Sequence, residues 1–215
     1  MTADPSGLRG LYAVTDSRRY AGAQLLETCD DILSAGASLL QYRDKSQDQA
    51  LRKRQARALR SICDQHQTLL IINDDVELAR DTGADGVHLG QGDLSIAAAR
   101  ARLGPGAIIG ASCYNSLHKA QQALDDGADY LAFGSMYTSA TKPSARHCDL
   151  STLQQARAQF NCPIAVIGGI DIHNAKPLVA AGTDMLALVS AVFDVDNPAS
   201  AAAQLAALYS DSPSS

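Results

Sequence analysis

Eight short apolar runs rich in Val, Ile and Leu recur along the chain, at Leu11–Thr15, Ser38–Tyr42, Thr68–Asn73, Gly86–Leu89, Ala107–Ser112, Tyr130–Gly134, Pro163–Gly168 and Met185–Ser190. Short continuous runs of this kind read as strands buried on both faces. Between them lie amphipathic stretches with Ala, Leu, Arg, Gln and Glu at helical spacing, among them Ala50–Gln65, Ile96–Arg102, Leu117–Asp126 and Leu153–Gln159. Strand and helix thus alternate from end to end. The natural closed solution is an α/β fold, a single-domain (β/α)8 TIM barrel, with a doubly wound open sheet as the alternative.

Glycines punctuate the pattern in A-G-A (Ala35–Ala37), T-G-A-D (Thr82–Asp85), D-G-A-D (Asp126–Asp129) and A-G-T-D (Ala181–Asp184). A Gly after a helix takes up the left-handed cap, so each motif is expected to end one helix and lead into the next strand. With 215 residues, each unit has roughly 25 residues, near the lower end for barrels. The barrel is expected to occupy residues 1–209, with a last helix over Ala199–Tyr209 and a Ser/Asp/Pro-rich flexible tail at 210–215.

A net charge of −5 argues against general attraction to nucleic acid or anionic membranes. An anionic small-molecule substrate must therefore be caught by a local cluster of basic groups. No apolar run is long enough to span a membrane, and Met1–Gly10 lacks the pattern of a signal peptide, so the expected location is the cytoplasm. The five cysteines are dispersed without a C-x-x-C pair, which fits reduced thiols better than disulfides or a zinc site. A homo-oligomer is compatible with the sequence, which does not specify one.

Barrel chemistry sits at the C-terminal ends of the strands. The second run ends in Q-Y-R-D-K. Alternation puts Gln41, Arg43 and Lys45 on one face and Tyr42 and Asp44 on the other. Two cations beside an amide can fork onto phosphate oxygens, although the segment also reads as a solvated strand end. The third run stops at Asn73, Asp74 and Asp75, which could cap the following helix. Asp93 follows the fourth run, V-H-L-G-Q-G-D, beside that strand end in a barrel. Two neighbouring carboxylates with water and substrate phosphates are a usual Mg²⁺ arrangement, so Asp74 and Asp93 are the candidate metal ligands.

His88, inside the fourth run, reads as a hydrogen-bonded core residue and is given no role. Ser112 ends the fifth run as a single hydroxyl without a triad pattern. The loop S-M-Y-T-S-A-T-K-P carries four Ser and Thr hydroxyls and Lys142, which suits anionic ligands but is also commonplace loop chemistry. Gly168, Gly169, Val189 and Ser190 end the last two runs, where barrels often hold a phosphate on backbone N–H groups. Two anion sites around one metal imply two phosphorylated small-molecule substrates, or one long one.

Taken together, Y-A-V-T-D (Tyr12–Asp16), Q-Y-R-D-K, I-N-D-D, G-A-D-G-V-H-L-G-Q-G-D, A-T-K, I-G-G-I and V-S-A closely resemble the thiamine-phosphate synthase family, in its order. The resemblance implies that Gln41, Tyr42, Arg43, Asp44, Lys45, Asn73, Ser112 and Lys142 hold hydroxymethylpyrimidine diphosphate. It implies Mg²⁺ on Asp74 and Asp93, and thiazole phosphate on Ser139, Ala140, Thr141, Gly169, Val189 and Ser190. Arg43, Lys45, Lys142 and Ser112 would be the catalytic set, in a dissociative displacement of diphosphate by the thiazole nitrogen.

The loop departs from the family pattern, with Ser135 and Thr138 in place of prolines and Ser139 in place of threonine. Loss of two prolines is expected to loosen it. Alternatives are a thiazole tautomerase-like relative, a sugar-phosphate isomerase or epimerase, and a non-catalytic binding or regulatory protein on the same barrel. Retention of Arg43, Lys45, Asp74, Asp93 and Lys142 favours the synthase over the tautomerase. The isomerases need a matched acid and base, which the strand ends do not offer.

Overall fold

The computed structural model describes residues 7–16, 20, 22–138 and 147–210. The apolar runs form β1 (Gly10–Val14), β2 (Leu39–Tyr42), β3 (Leu69–Asn73), β4 (Gly86–Leu89), β5 (Ile108–Tyr114), β6 (Tyr130–Gly134), β7 (Ile164–Ile167) and β8 (Met185–Leu188). They pair in chain order and close, with Tyr12 of β1 opposite Ala187 of β8. That pairing rules out the open sheet.

The helices are α1 (Ala23–Ser34), α2 (Gln49–His66), α3 (Val76–Thr82), α4 (Ile96–Leu103), α5 (Leu117–Asp125), α6 (Leu150–Gln159), α7 (Lys176–Ala180), α8 (Ser190–Phe193) and α9 (Pro198–Ser210). Asp48, Asp75, Ser95, Ser116 and Asp149 cap five of them by accepting a backbone N–H. Strand ends shift by one residue at several places against the expectation, and two shift by two residues. β5 continues past Ser112 because its register slips between Ser112 and Tyr114, while β8 stops at Leu188 and Ser190 opens α8. The last helix includes Ser210, and the rest of the expected tail, 211–215, lies outside the described residues.

Strand alternation divides the apolar residues into two cores. Tyr12, Val14, Leu39, Ile71, Ile108, Tyr130, Ala165 and Met185 fill the barrel interior. Leu11, Leu40, Leu70, Ile72, Val87, Ile109, Leu131, Val166 and Leu186 face the helices, where Leu25, Ile32, Leu59, Leu153 and Leu178 meet them. Burial on both faces explains why the runs are continuous rather than alternating. Inside the barrel, small residues make room for large ones: a Cβ on Gly110 would overlap the Tyr130 ring.

The repeated G-x-D element does two jobs. Gly83, Gly127 and Gly182 all have positive φ, as helix-terminating glycines should, and so does Gly36, which Ser38 rather than an aspartate follows. Each aspartate then ties a helix to two strands at the N-terminal end of the barrel. Asp85 pairs with Arg60 of α2 and accepts the Leu70 N–H at 2.7 Å. Asp129 pairs with Arg100 of α4 at 2.7 Å and accepts the Ile109 N–H at 2.6 Å. Asp184 pairs with Arg157 of α6 at 2.8 Å and accepts the Ile164 N–H at 2.8 Å. The three struts recur at every second βα unit. A depression of about 860 Å³, lined by Arg9, Ser38, Thr68 and Asp85, opens at this same end, which in barrels serves stability rather than chemistry.

The five cysteines are unpaired, four of them buried. Among the described residues, no helix is long and apolar enough to cross a membrane.

Candidate active site

A cavity of about 690 Å³ opens at the C-terminal end of the barrel. Gln41, Arg43, Asn73, Ser112, Gly168, Gly169, Val189 and Ser190 all line it, joined by Tyr12, Asp16, His88 and Tyr130's neighbour Ala132. Strand twist and alternation bring these residues, from all eight strands or their ends, to one opening. Tyr42 and Asp44 turn the other way. The Tyr42 hydroxyl shares its single hydrogen between Gln55 of α2 at 2.7 Å and Asp44 at 3.2 Å, and the Asp44 carboxylate accepts the Ser46 N–H at 2.7 Å. Both support the turn that carries Arg43 and Lys45 and lie behind the cavity wall, apart from its lining.

The cavity floor is crossed by a chain of buried hydrogen bonds. Gln41 Nε2 donates to the Tyr12 hydroxyl at 2.7 Å, Tyr12 and Tyr130 hydroxyls meet at 2.8 Å, Tyr130 reaches His88 Nδ1 at 2.9 Å, and His88 Nε2 reaches Ser112 Oγ at 2.9 Å. Gln41 donates into Tyr12, which leaves the buried Tyr12 hydrogen only Tyr130 to go to; the donor order that satisfies every hydroxyl therefore runs from Tyr12 to Tyr130 and from Tyr130 to Nδ1. His88 is then the Nε2–H tautomer, its Nε2–H donates to Ser112, and the Ser112 hydrogen is left to face the cavity. Burial pulls the His88 imidazole down to about 4 against the opposing charge of Asp74, so the ring is neutral at physiological pH. Burial raises both tyrosines, which keeps every member of the chain uncharged. The ring of His88 also stacks on Tyr130, with centroids 5.5 Å apart.

Beside Asn73 stands the charged cluster. Asp75 alone caps α3, accepting the Leu78 N–H at 2.9 Å and pairing with Arg52 at 2.9 Å. Asp74 takes φ 64 and turns away from the helix towards Lys45, with which it forms an ion pair, and towards Asp93. Burial alone would raise the Asp74 carboxyl, but the hydrogen bonds from Lys45 and Asp93 hold it below its ordinary range. Asp93 accepts the Gly90 N–H at 2.7 Å, yet burial and the neighbouring Asp74 hold its carboxyl above that range. Two carboxylates this close repel unless a proton or a cation lies between them.

The donor set therefore suits a hard cation. Among the described residues, no group of three or more His, Cys, Asp or Glu could hold a metal by itself. A pair of carboxylates fits Mg²⁺, which keeps waters and completes its shell with substrate phosphates, and does not fit a structural zinc ion.

On the far side of the cavity, the segment 135–138 is laid against the end of β7. Met136 N–H donates to Ile167 at 3.0 Å, Tyr137 N–H to Gly168 at 2.9 Å, Cys148 N–H to Ser135 at 2.8 Å, and the Ser135 hydroxyl to the Tyr137 carbonyl at 2.6 Å. The Tyr137 hydroxyl adds a bond to Asn174 at 3.1 Å. Backbone pairing and the Ser135 side chain thus hold Ser135, Met136 and Tyr137 against β7 in the segment where the missing prolines are expected to loosen the loop. Gly168 and Gly169 are needed there on steric grounds too, since a Cβ on either would overlap Ser135, Tyr137 or Thr138. Ser139, Ala140, Thr141 and Lys142 lie outside the described residues.

Tyr12, Asp16, Gln91, Tyr114 and Lys119 line the cavity without a role assigned from the sequence. His88 is the buried, hydrogen-bonded residue expected, and it lines the cavity too. An inward-pointing His two positions into a strand, with Tyr at interior positions of two other strands, was the available signal for a polar floor.

The model of the family described as thiamine monophosphate synthase matches residues 11–192. The chain is 48% identical over 209 residues to a thiamine-phosphate synthase from Thioalkalivibrio sulfidiphilus, covering 97% of this chain and 99% of that one. Among solved structures, it resembles the thiamine phosphate pyrophosphorylase from Pyrococcus furiosus, with TM-score 0.89, 31% identity, and coverage of 97% of this chain and 98% of that one. A (S)-3-O-geranylgeranylglyceryl phosphate synthase from Thermoplasma acidophilum shares the fold at TM-score 0.74 and 15% identity, over 99% of this chain and 100% of that one.

Proposed function

The chain belongs to the thiamine-phosphate synthase family, a transferase family of thiamine biosynthesis, and from that premise we propose how its residues divide the work. Hydroxymethylpyrimidine diphosphate lies with its ring over the floor between Gln41 and Ser112 and its diphosphate towards Arg43, Lys45, Asn73 and Lys142. Thiazole phosphate lies across the cavity, with its phosphate at Gly169, Val189 and Ser190 and at the 139–141 segment. Asp74 and Asp93 would hold Mg²⁺, which when bound supplies positive charge to the departing diphosphate.

The reaction is a dissociative displacement. The bond from the pyrimidine methylene carbon to the diphosphate oxygen breaks with its electron pair going to diphosphate, and the thiazole nitrogen lone pair then bonds to the cationic carbon. Arg43, Lys45 and Lys142 hold positive charge where negative charge accumulates, which stabilises the transition state without reorganisation. Gln41 and Ser112 orient the ring, and Ser112 presents a hydroxyl hydrogen because His88 occupies its lone pair. The buried floor keeps water from the short-lived cation. No protein base is required, which agrees with a His88 held neutral and fully engaged.

The observation that carries this reading is the joining of Lys45, Asp74 and Asp93 beside Asn73 and Arg43, at the ends of three adjacent strands. Asp93→Ala is expected to lower turnover by about 100-fold or more and to remove Mg²⁺ binding measured calorimetrically, with an unchanged circular dichroism spectrum. A folded Asp93→Ala variant that binds Mg²⁺ and turns over normally would remove Asp93 from the metal site.

A further inference from the structure

The cavity carries one cation that none of the roles above uses. Lys119, in the first turn of α5, lines the opening together with Gln91 and Tyr114. Its Nζ donates to Gln91 Oε1 at 2.8 Å and lies 5.1 Å from the centroid of the Tyr114 ring. Tyr114 reaches that place through two local departures from a regular strand. The β5 register slips between Ser112 and Tyr114, and Tyr114 itself takes φ 58, a conformation uncommon for a bulky side chain. The result is an aromatic ring 40% exposed at the rim, under an ammonium group.

The partners of Lys119 are both neutral. Lys45 and Lys53 are matched with Asp74 and Asp81, and Arg60, Arg100 and Arg157 with the strut aspartates. Among the described residues, no carboxylate pairs with Lys119. An ion-paired cation must give up its partner to take an anion. An ammonium held by an amide oxygen and a ring face keeps its charge available, and its three N–H groups exceed those two contacts by one. In a chain of net charge −5, such a group beside an anion-binding cavity is conspicuous.

Its position decides between the two anions. Gln91 belongs to the turn from Gly90 to Asp93, whose carboxylate meets Asp74. Lys119 is therefore tethered to the β4 corner with the charged cluster, whereas Gly169, Val189 and Ser190 stand at the β7 and β8 ends across the barrel. We propose that Lys119 is a further phosphate-binding residue of this enzyme, seated by Tyr114 and Gln91, and that it contacts the diphosphate of the pyrimidine substrate rather than the thiazole phosphate. The proposal rests on the diphosphate reading of the β2–β4 corner given above.

The test compares wild type, Lys119→Met and Lys119→Arg. Methionine keeps the stem without the charge, and arginine restores the charge. Binding of inorganic diphosphate in the presence of Mg²⁺ is measured by titration calorimetry, and KM and kcat are measured for each substrate. Loss of one charge-assisted hydrogen bond is expected to weaken diphosphate binding about 10- to 100-fold in Lys119→Met. KM for the pyrimidine diphosphate should rise in parallel, KM for thiazole phosphate should stay within about twofold, and Lys119→Arg should recover most of the loss. If Lys119→Met binds diphosphate as wild type does, or if KM rises for the thiazole phosphate alone, the proposal fails while the reading of the corner stands. If wild type binds no diphosphate, the reading of the corner fails and takes the proposal with it.

Discussion

Tyr130→Phe removes one oxygen atom from the middle of the cavity floor and should damage both stability and turnover. The hydroxyl takes a hydrogen from Tyr12 and gives one to His88 Nδ1, and both partners are buried. Without it, the Tyr12 hydrogen and the Nδ1 lone pair each lack a partner. A buried polar group left unsatisfied costs about 1–3 kcal/mol, and the ring itself is retained, so the expected loss is about 2–4 kcal/mol. For a chain of this size that lowers Tm by roughly 5–15 °C. Turnover should fall about 10-fold as well, because His88 is released to either tautomer and Ser112 loses its fixed orientation. Tyr12→Phe is the control. It leaves the Tyr130–His88 bond in place, so it should destabilise comparably but slow turnover less. Thermal melts followed by circular dichroism, with steady-state kinetics on both variants, make the comparison. A Tyr130→Phe protein that melts within about 1 °C of wild type and turns over at the same rate would refute a directed chain across the floor.

The struts at the opposite end predict stability without chemistry. Asp129→Ala strands the buried Ile109 N–H and takes the carboxylate from Arg100, which keeps its backbone carbonyl partners, and should cost about 2–3 kcal/mol in urea unfolding with kcat unchanged; a loss of kcat without a loss of stability would contradict that separation. His88 should also shape the acid side of the stability curve. Its folded pKa of about 4 lies below the unfolded value near 6.5, so as pH falls through that window the unfolded chain takes up a proton the native state refuses. About 2 kcal/mol of stability should disappear between pH 7.5 and 5, and His88→Asn should lack that portion of the slope. Identical pH slopes for the two proteins would show that His88 is not held neutral.

How far the chain could be read without its structure follows from what each pattern encodes. Barrel strands are buried on both faces, so they appear as apolar runs; their number and regular spacing favour closure, and the β1–β8 pairing establishes it. The closeness of Asp74 and Asp93 was legible because the two residues follow adjacent strands, where proximity needs no knowledge of side-chain angles. The Q-Y-R-D-K alternation correctly separates the face of Gln41 and Arg43 from that of Tyr42 and Asp44.

The polar floor was not legible in that way. It depends on four contacts between residues 24 to 118 positions apart, and each residue alone is an ordinary core tyrosine, histidine or glutamine. Lys119 was hidden for a different reason. Its place at the cavity depends on the β5 register slip and the positive φ of Tyr114, which no hydrophobic pattern records. Asp85, Asp129 and Asp184 were visible only as a repeat, because their partners lie on helices 25 to 29 residues away.

The central claim is that this barrel joins two phosphorylated heterocycles under the charge of Mg²⁺ and its own cations. Purified protein incubated with hydroxymethylpyrimidine diphosphate and thiazole phosphate, with Mg²⁺ or with excess chelator, tests it directly by chromatographic detection of thiamine phosphate. The account predicts stoichiometric thiamine phosphate and diphosphate with Mg²⁺ and a loss of both with chelator. Absence of product at every Mg²⁺ concentration would contradict it.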